Sequence, residues 1–140
     1  RVKAIDEGLA GCRVLLCEDN YLNAEIAQLL LKNKKVKVDW AKDGQEGVAK
    51  FSSSAPGYYQ LVLMDIRMPV LDGLQATQAI RKLDRPDAKT IPVLAMTADA
   101  FDETIEAARK AGMDSYITKP IVPMVLYKTM FENLASCARR

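Results

Sequence analysis

Residues 13–20 read Arg13-Val14-Leu15-Leu16-Cys17-Glu18-Asp19-Asn20, an apolar run that stops on two acids and a residue suited to capping a helix. Val14 to Cys17 is apolar without alternation, the pattern of a strand covered on both faces of a parallel sheet. Asn20 is a good N-cap for a helix starting at the next residue. Behind it Leu22, Ile26, Leu29 and Leu30 recur at spacings that put them on one face of that helix. A buried strand, a polar end and a helix start thus succeed one another within a few residues.

The same succession recurs along the chain. Further runs rich in β-branched or apolar residues lie at 36–41, 61–64, 92–96 and 116–118. Between them, Val48 and Phe51 mark a short helix that ends in the loop 52–57. Ala76, Ile80 and Leu83 share a helical face, and so do Phe101, Ile105 and Ala108. For the last of these helices Asp99 is the expected N-cap and Gly112 the expected stop. A final helix comes after Pro123 and carries Leu126, Tyr127, Met130, Phe131 and Leu134. The order is (βα)5, which predicts an α/β fold: a doubly wound, five-stranded parallel sheet with right-handed crossovers. The 140 residues fit one domain. Residues 1–11 read as a lead-in or linker and 12–138 as the domain.

Composition narrows the function classes. A net charge of +2 gives no electrostatic case for nucleic acid or an anionic membrane. The basic run Lys32-Asn33-Lys34-Lys35, with Lys37, falls where a helix should end, and reads as a solvated end favoured by the helix dipole. No apolar stretch is long enough to span a bilayer and no signal peptide opens the chain. Three cysteines, Cys12, Cys17 and Cys137, are an odd count without metal-type spacing. That argues against a disulfide framework and for a reducing, cytoplasmic setting. The chain has no histidine, which excludes Ser-His and Cys-His catalysis and most zinc chemistry. It begins with Arg1 rather than Met, as expected of a piece of a longer protein.

Open parallel sheets bind ligands beyond the carboxyl ends of their strands, and four of the five expected strand ends here carry reactive groups. Glu18 and Asp19 come after the first, Asp65 after the third, Thr97 after the fourth and Lys119 after the fifth. Three carboxylates brought together repel one another, and a hard divalent cation such as Mg2+ relieves that repulsion. With Asp19, Asp65 and Glu18 on the metal, an oxygen of Asp65 is left to attack phosphorus. Lys119, the Thr97 hydroxyl and the metal would each meet one equatorial oxygen of a phosphoryl group in transfer.

These residues resemble the receiver domains of two-component response regulators. The segments that carry the likeness are Val14-Leu15-Leu16-Cys17-Glu18-Asp19-Asn20, the run from Met64 to Gly73, Thr97-Ala98 and Lys119-Pro120. The resemblance implies a flavodoxin-like sheet of strand order 2-1-3-4-5. It implies that Asp65 is the phosphoacceptor, taking its phosphoryl group from a partner phosphohistidine. Glu18, Asp19, Asp65 and the backbone carbonyl of Arg67 would hold Mg2+. Thr97 and Tyr116 are then the switch pair, Lys119 the cation on the phosphoryl group, Lys119-Pro120 a cis peptide, and Ala98 the small residue that keeps the site open. Arg67 and Asp99 stand where the family tunes phosphoryl lifetime. Glu18-Asp19-Asn20 with Asn23, and Asp72-Gly73-Leu74, resemble receivers attached to hybrid histidine kinases. The implied partners are a histidine kinase or a histidine phosphotransfer domain, docking near Asp65 against the helix after Asn20. A homodimer through the last two helices is also open. The fragment itself would catalyse nothing beyond its own phosphorylation and dephosphorylation.

The bland readings are an N-cap for Asp65, a core aromatic for Tyr116, core or loop filler for Met64, Met68 and Met96, and packing of the loop before the third strand for Tyr58 and Tyr59. Three rival functions compete. An Asp-nucleophile phosphohydrolase of the haloacid dehalogenase type wants a second Asp two residues after the nucleophile, where this chain has Arg67. A nucleotide-binding domain wants a glycine-rich phosphate loop, and none is present. A receiver-like docking module independent of phosphorylation would not need Asp19, Asp65, Thr97 and Lys119 intact.

Overall fold

The computed structural model describes residues 2–134. Five parallel strands form one sheet in the order β2-β1-β3-β4-β5: β1 (Arg13–Cys17), β2 (Lys37–Ala41), β3 (Leu61–Asp65), β4 (Val93–Thr97) and β5 (Ser115–Thr118). Six helices accompany them: α1 (Val2–Leu9), α2 (Tyr21–Asn33), α3 (Gly44–Ser53), α4 (Gly73–Arg81), α5 (Asp102–Ala111) and α6 (Pro123–Asn133). The expected doubly wound sheet and its strand order are both observed.

Each strand feeds two cores, because successive side chains leave opposite faces of the sheet. On β1, Val14 and Leu16 join Ala27 and Leu31 of α2 and Tyr127 and Met130 of α6. Leu15 and Cys17 join Phe51 of α3, Ile80 of α4 and Ala108 of α5. The three inner strands are wholly or almost wholly buried, whereas β2 and β5, at the edges, are only partly so. Met64, Met68 and Met96 are core residues, and so is Tyr59, whose hydroxyl donates to Asp39. Register brings the strand ends level: Cys17 pairs with Met64, and Asp65 with Met96.

The helix starts obey local chemistry. Asn20 caps α2 by accepting from the Asn23 N–H, Asp43 caps α3 in the same way, and Asp72 with Gln75 closes a capping box on α4. Gly112 ends α5 in the left-handed conformation that glycine adopts freely (φ 107°).

Four expectations are corrected. The face of α2 that turns to the sheet is Ala24, Ala27 and Leu31, while Leu22, Ile26 and Leu29 are exposed. Both stripes have helical spacing. The small residues win because they let the helix lie close to the strands. Second, the described part of the stretch read as a lead-in contributes to the core, for α1 buries Ile5 and Leu9 in the same core as α6. Its backbone lies so close to α6 that a Cβ on Gly8 would sit 2.6 Å from the Phe131 ring. Third, Asp99 does not cap α5, which starts from Phe101 without a side-chain cap. Fourth, Cys12 is disulfide-bonded, where the cysteine count argued against disulfides. Cys17 is a free, buried thiol, and Cys137 lies outside the described residues. No described helix is long and apolar enough to cross a membrane.

Candidate functional site

The polar residues at the strand ends meet at one edge of the sheet. Asp65 is the last residue of β3 and Thr97 the last of β4. Glu18 and Lys119 come directly after β1 and β5. Glu18, Asp65 and Thr97 are buried, with 2%, 5% and 4% of their surface exposed. Asp19 is exposed at the rim. One carboxylate oxygen from each of Glu18, Asp19 and Asp65 falls within a 4.8 Å cluster. Among the described residues these three form a group able to hold a metal ion, and hard oxygen donors of this kind suit Mg2+.

Lys119 closes the other side. Its Nζ donates to Asp65 Oδ2 at 2.8 Å and lies 2.8 Å from Glu18 Oε1. The Lys119 N–H donates to the Thr97 carbonyl, and the Lys119-Pro120 peptide is cis, as the resemblance implied. The remaining carboxylate oxygens are held by main chain: the Asn20 N–H donates to Glu18 Oε2 at 3.1 Å and the Arg67 N–H to Asp65 Oδ1 at 3.2 Å. Both oxygens of Asp65 are therefore oriented, and each keeps a lone pair for a further partner.

Burial dominates the electrostatics of Glu18. It raises the carboxyl to about 7, against the lowering effect of the bonds from Lys119 and Asn20. For Lys119, burial pulls the ammonium down, but the hydrogen bonds to Asp65 and Glu18 outweigh it and the net shift is upward. A site with a proton-hungry buried glutamate and a firmly charged lysine is short of positive charge, which fits a divalent cation.

Thr97 is engaged with its own loop. Its hydroxyl donates to the Asp99 carbonyl at 3.1 Å and accepts the Asp99 N–H at 3.0 Å. Asp99 in turn pairs with Arg67 at 3.4 Å through exposed side chains, so the two residues that flank the site in sequence also meet in space. Tyr116, on edge strand β5, is 42% exposed. Ala98 and Pro120 line a groove of about 410 Å3 with Asn23, Ile26, Lys119 and Ile121.

Three contributors escape a reading of the sequence. Trp40 on β2 donates its indole N–H to the Glu18 carbonyl at 2.8 Å. Gly73 passes so near the Asp65 carbonyl oxygen that a Cβ would stand 2.1 Å from it, which lets the loop after β3 fold back over the site. Val70 takes a positive φ of 70° while the Leu71 N–H closes a tight turn onto the Pro69 carbonyl, a strained conformation for a β-branched residue. Glycine inside a capping box is a visible signal for Gly73. For Trp40 there is none.

Residues 14–131 match the response regulator receiver domain, and the chain belongs to that family, whose members are the phosphoacceptors of two-component signalling. It is 38% identical over 120 residues to hybrid signal transduction histidine kinase I of Dictyostelium discoideum, covering 84% of this chain and 7% of the relative. It is 39% identical over 127 residues to the autoinducer 2 sensor kinase/phosphatase LuxQ of Vibrio harveyi, covering 91% of this chain and 14% of the relative. The chain thus spans only a small part of these relatives. Among solved structures, the receiver domain of a Pseudomonas aeruginosa sensor histidine kinase with magnesium in its active-site cleft superposes with a TM-score of 0.80 at 32% identity, covering 89% of this chain and 98% of the other. The receiver of Saccharomyces cerevisiae Ssk1, solved with the phosphotransfer protein Ypd1, gives a TM-score of 0.78 at 28% identity over 93% of this chain and 92% of the other.

Proposed function

We propose that Asp65 is the phosphoacceptor of this receiver domain and that it accepts its phosphoryl group in a Mg2+-dependent reaction from a phosphohistidine on a partner protein. The observation that carries this is the Lys119 ammonium held 2.8 Å from Asp65 Oδ2 beside a cluster of three carboxylates. A carboxylate oxygen of Asp65 attacks phosphorus as the phosphorus–nitrogen bond to the imidazole breaks, and the imidazole leaves with the electron pair. Lys119 neutralises one phosphoryl oxygen. Thr97 gives up its bonds to Asp99 and donates its hydroxyl to another. Glu18, Asp19 and Asp65, with the Arg67 carbonyl, would hold Mg2+, which supplies positive charge against the carboxylates and the phosphoryl group.

Tyr116 and Thr97 form the switch, with the exposed ring of Tyr116 turning inward as Thr97 moves. Ala98, being small, leaves room for the phosphoryl donor to approach, and Pro120 aims Lys119. The donor is a histidine kinase or a histidine phosphotransfer domain, seated against α2 and the groove beside Lys119. The phosphorylated surface on α5 and α6 supports a homodimer, and the domain removes its own phosphoryl group by hydrolysis. The parent chain is a hybrid histidine kinase, in keeping with the relatives.

Incubation with acetyl phosphate and Mg2+, followed by mass spectrometry of the intact protein, tests the assignment. The expected result is a gain of one phosphoryl mass, lost in Asp65→Asn and absent when the metal is chelated. Labelling that persists in Asp65→Asn removes Asp65 from the role. No labelling of the native chain favours a docking module that does not use phosphorylation.

A further inference from the structure

The basic run that the phosphoacceptor chemistry leaves unused forms one wall of a groove of about 580 Å3 between α2 and the outer edge of β2. Its lining includes Lys32, Lys35 and Lys37 together with Tyr21, Leu29 and Val38. A single acid, Glu25, opposes the three lysines, so the groove is cationic. Its apolar walls are open to solvent, with Tyr21 67% and Leu29 63% exposed.

The edge of β2 beside this groove offers free backbone groups. The Lys37 N–H donates to the Cys12 carbonyl and the Ala41 carbonyl accepts the Glu18 N–H, so the odd-numbered residues of β2 face β1. Alternation along a strand then turns the N–H and C=O of Val38 and Trp40 outward. Neither residue's outward groups find a partner among the described residues. The side chains of Val38 and Trp40 pack toward the α2 layer, so a strand added here would lay alternate side chains over the groove.

We infer that the β2 edge and the Lys32-Lys35-Lys37 groove form a docking site for an extended, acidic segment of a partner protein, which adds to the sheet as a sixth strand. Backbone bonds to Val38 and Trp40 supply register, the apolar residues of the segment cover Leu29 and Tyr21, and its carboxylates meet the lysines. Lysines also protect sheet edges from unwanted pairing. Edge protection needs charge alone, however. It does not need two large apolar side chains left open in a concave wall.

The probe is a capped peptide alternating valine with glutamate, titrated into the isotopically labelled protein. A peptide with lysine in place of glutamate is the control. The expected result is shifted and exchange-protected amides at Val38 and Trp40. Affinity should fall at least about tenfold in Lys32→Glu/Lys35→Glu/Lys37→Glu and weaken with added salt. Labelling of Asp65 by acetyl phosphate, measured on the same variant, should be unchanged, which separates this inference from the phosphoacceptor assignment. Equal binding of the lysine peptide, no response at Val38 and Trp40, or a preference for phosphatidylserine vesicles or single-stranded RNA would overturn it.

Discussion

Lys119 grips Asp65 across 54 residues of chain, Nζ to Oδ2 at 2.8 Å, and the same ammonium rests 2.8 Å from Glu18 Oε1. One cation thus serves two buried carboxylates that would otherwise face each other unscreened.

Removing that cation should expose the cost. Lys119→Ala is expected to lower the stability of the metal-free protein by about 3 kcal/mol, since it leaves buried carboxylates uncompensated. It should also slow labelling of Asp65 by acetyl phosphate. Urea melts with and without Mg2+ provide the check, and added metal should recover part of the loss. A variant with native stability and native labelling would remove Lys119 from the site.

Glu18 makes metal binding depend on pH. Its carboxyl is raised to about 7 by burial, so below that value Mg2+ must displace a proton, and apparent affinity should fall by up to about tenfold per pH unit. The same shift bears on stability. The folded state holds a proton that the unfolded chain releases near its ordinary value of 4.5. The contribution of Glu18 to the stability of the metal-free protein is therefore fully present at and below that value and is lost as pH rises through about 7. Trp40, the only tryptophan, donates to the Glu18 carbonyl, so its fluorescence is a native reporter for both titrations. An affinity flat between about pH 5.5 and 8 would be the contrary result, given carboxylates of ordinary acidity.

Gly73 is expected to tolerate no side chain. The Cβ of Gly73→Ala would meet the Asp65 carbonyl oxygen at 2.1 Å and the Ile66 Cα at 2.8 Å, both backbone atoms that cannot rotate aside. A loss of about 3 kcal/mol in thermal or urea unfolding is expected, with slower labelling of Asp65 because the loop over the site must shift.

The N-terminal helix should behave as part of the domain. Leu9 is fully buried, and Leu9→Ala is expected to cost about 3 kcal/mol in urea unfolding. Val2→Ala on the exposed side of the same helix should change almost nothing. Equal, negligible effects of the two substitutions would restore residues 1–11 to the status of a linker.

The inner strands are legible in the chain because a strand buried on both faces needs an uninterrupted apolar run, as in Val14 to Cys17 and Leu61 to Met64. The reactive groups are legible for a related reason. A polar residue directly after such a run can only stand at the strand's carboxyl end, so Glu18, Asp65 and Thr97 can be grouped without any measured distance, and Lys119 joins them from the end of the short edge run 116–118. Capping residues such as Asn20 and Gly112 act within a few residues of themselves and are equally readable.

Other features depend on which surfaces meet. Leu22, Ile26 and Leu29 and the opposing Ala24, Ala27 and Leu31 are both helical stripes, and only the nearness of α2 to the sheet selects the second. Ile5 and Leu9 acquire meaning from α6, more than a hundred residues later in the chain. Asp99 is drawn away from capping α5 because its backbone is taken by Thr97 and its carboxylate by Arg67.

Local order along the chain, then, determined the type of each element and the chemical identity of the cluster, since periodicity and capping are near-neighbour effects. The folded arrangement alone decided how close the charges come, which carboxyl keeps its proton, and which helix faces stay open. Those properties come from burial and through-space contact between segments remote in sequence, and no short stretch of residues encodes them.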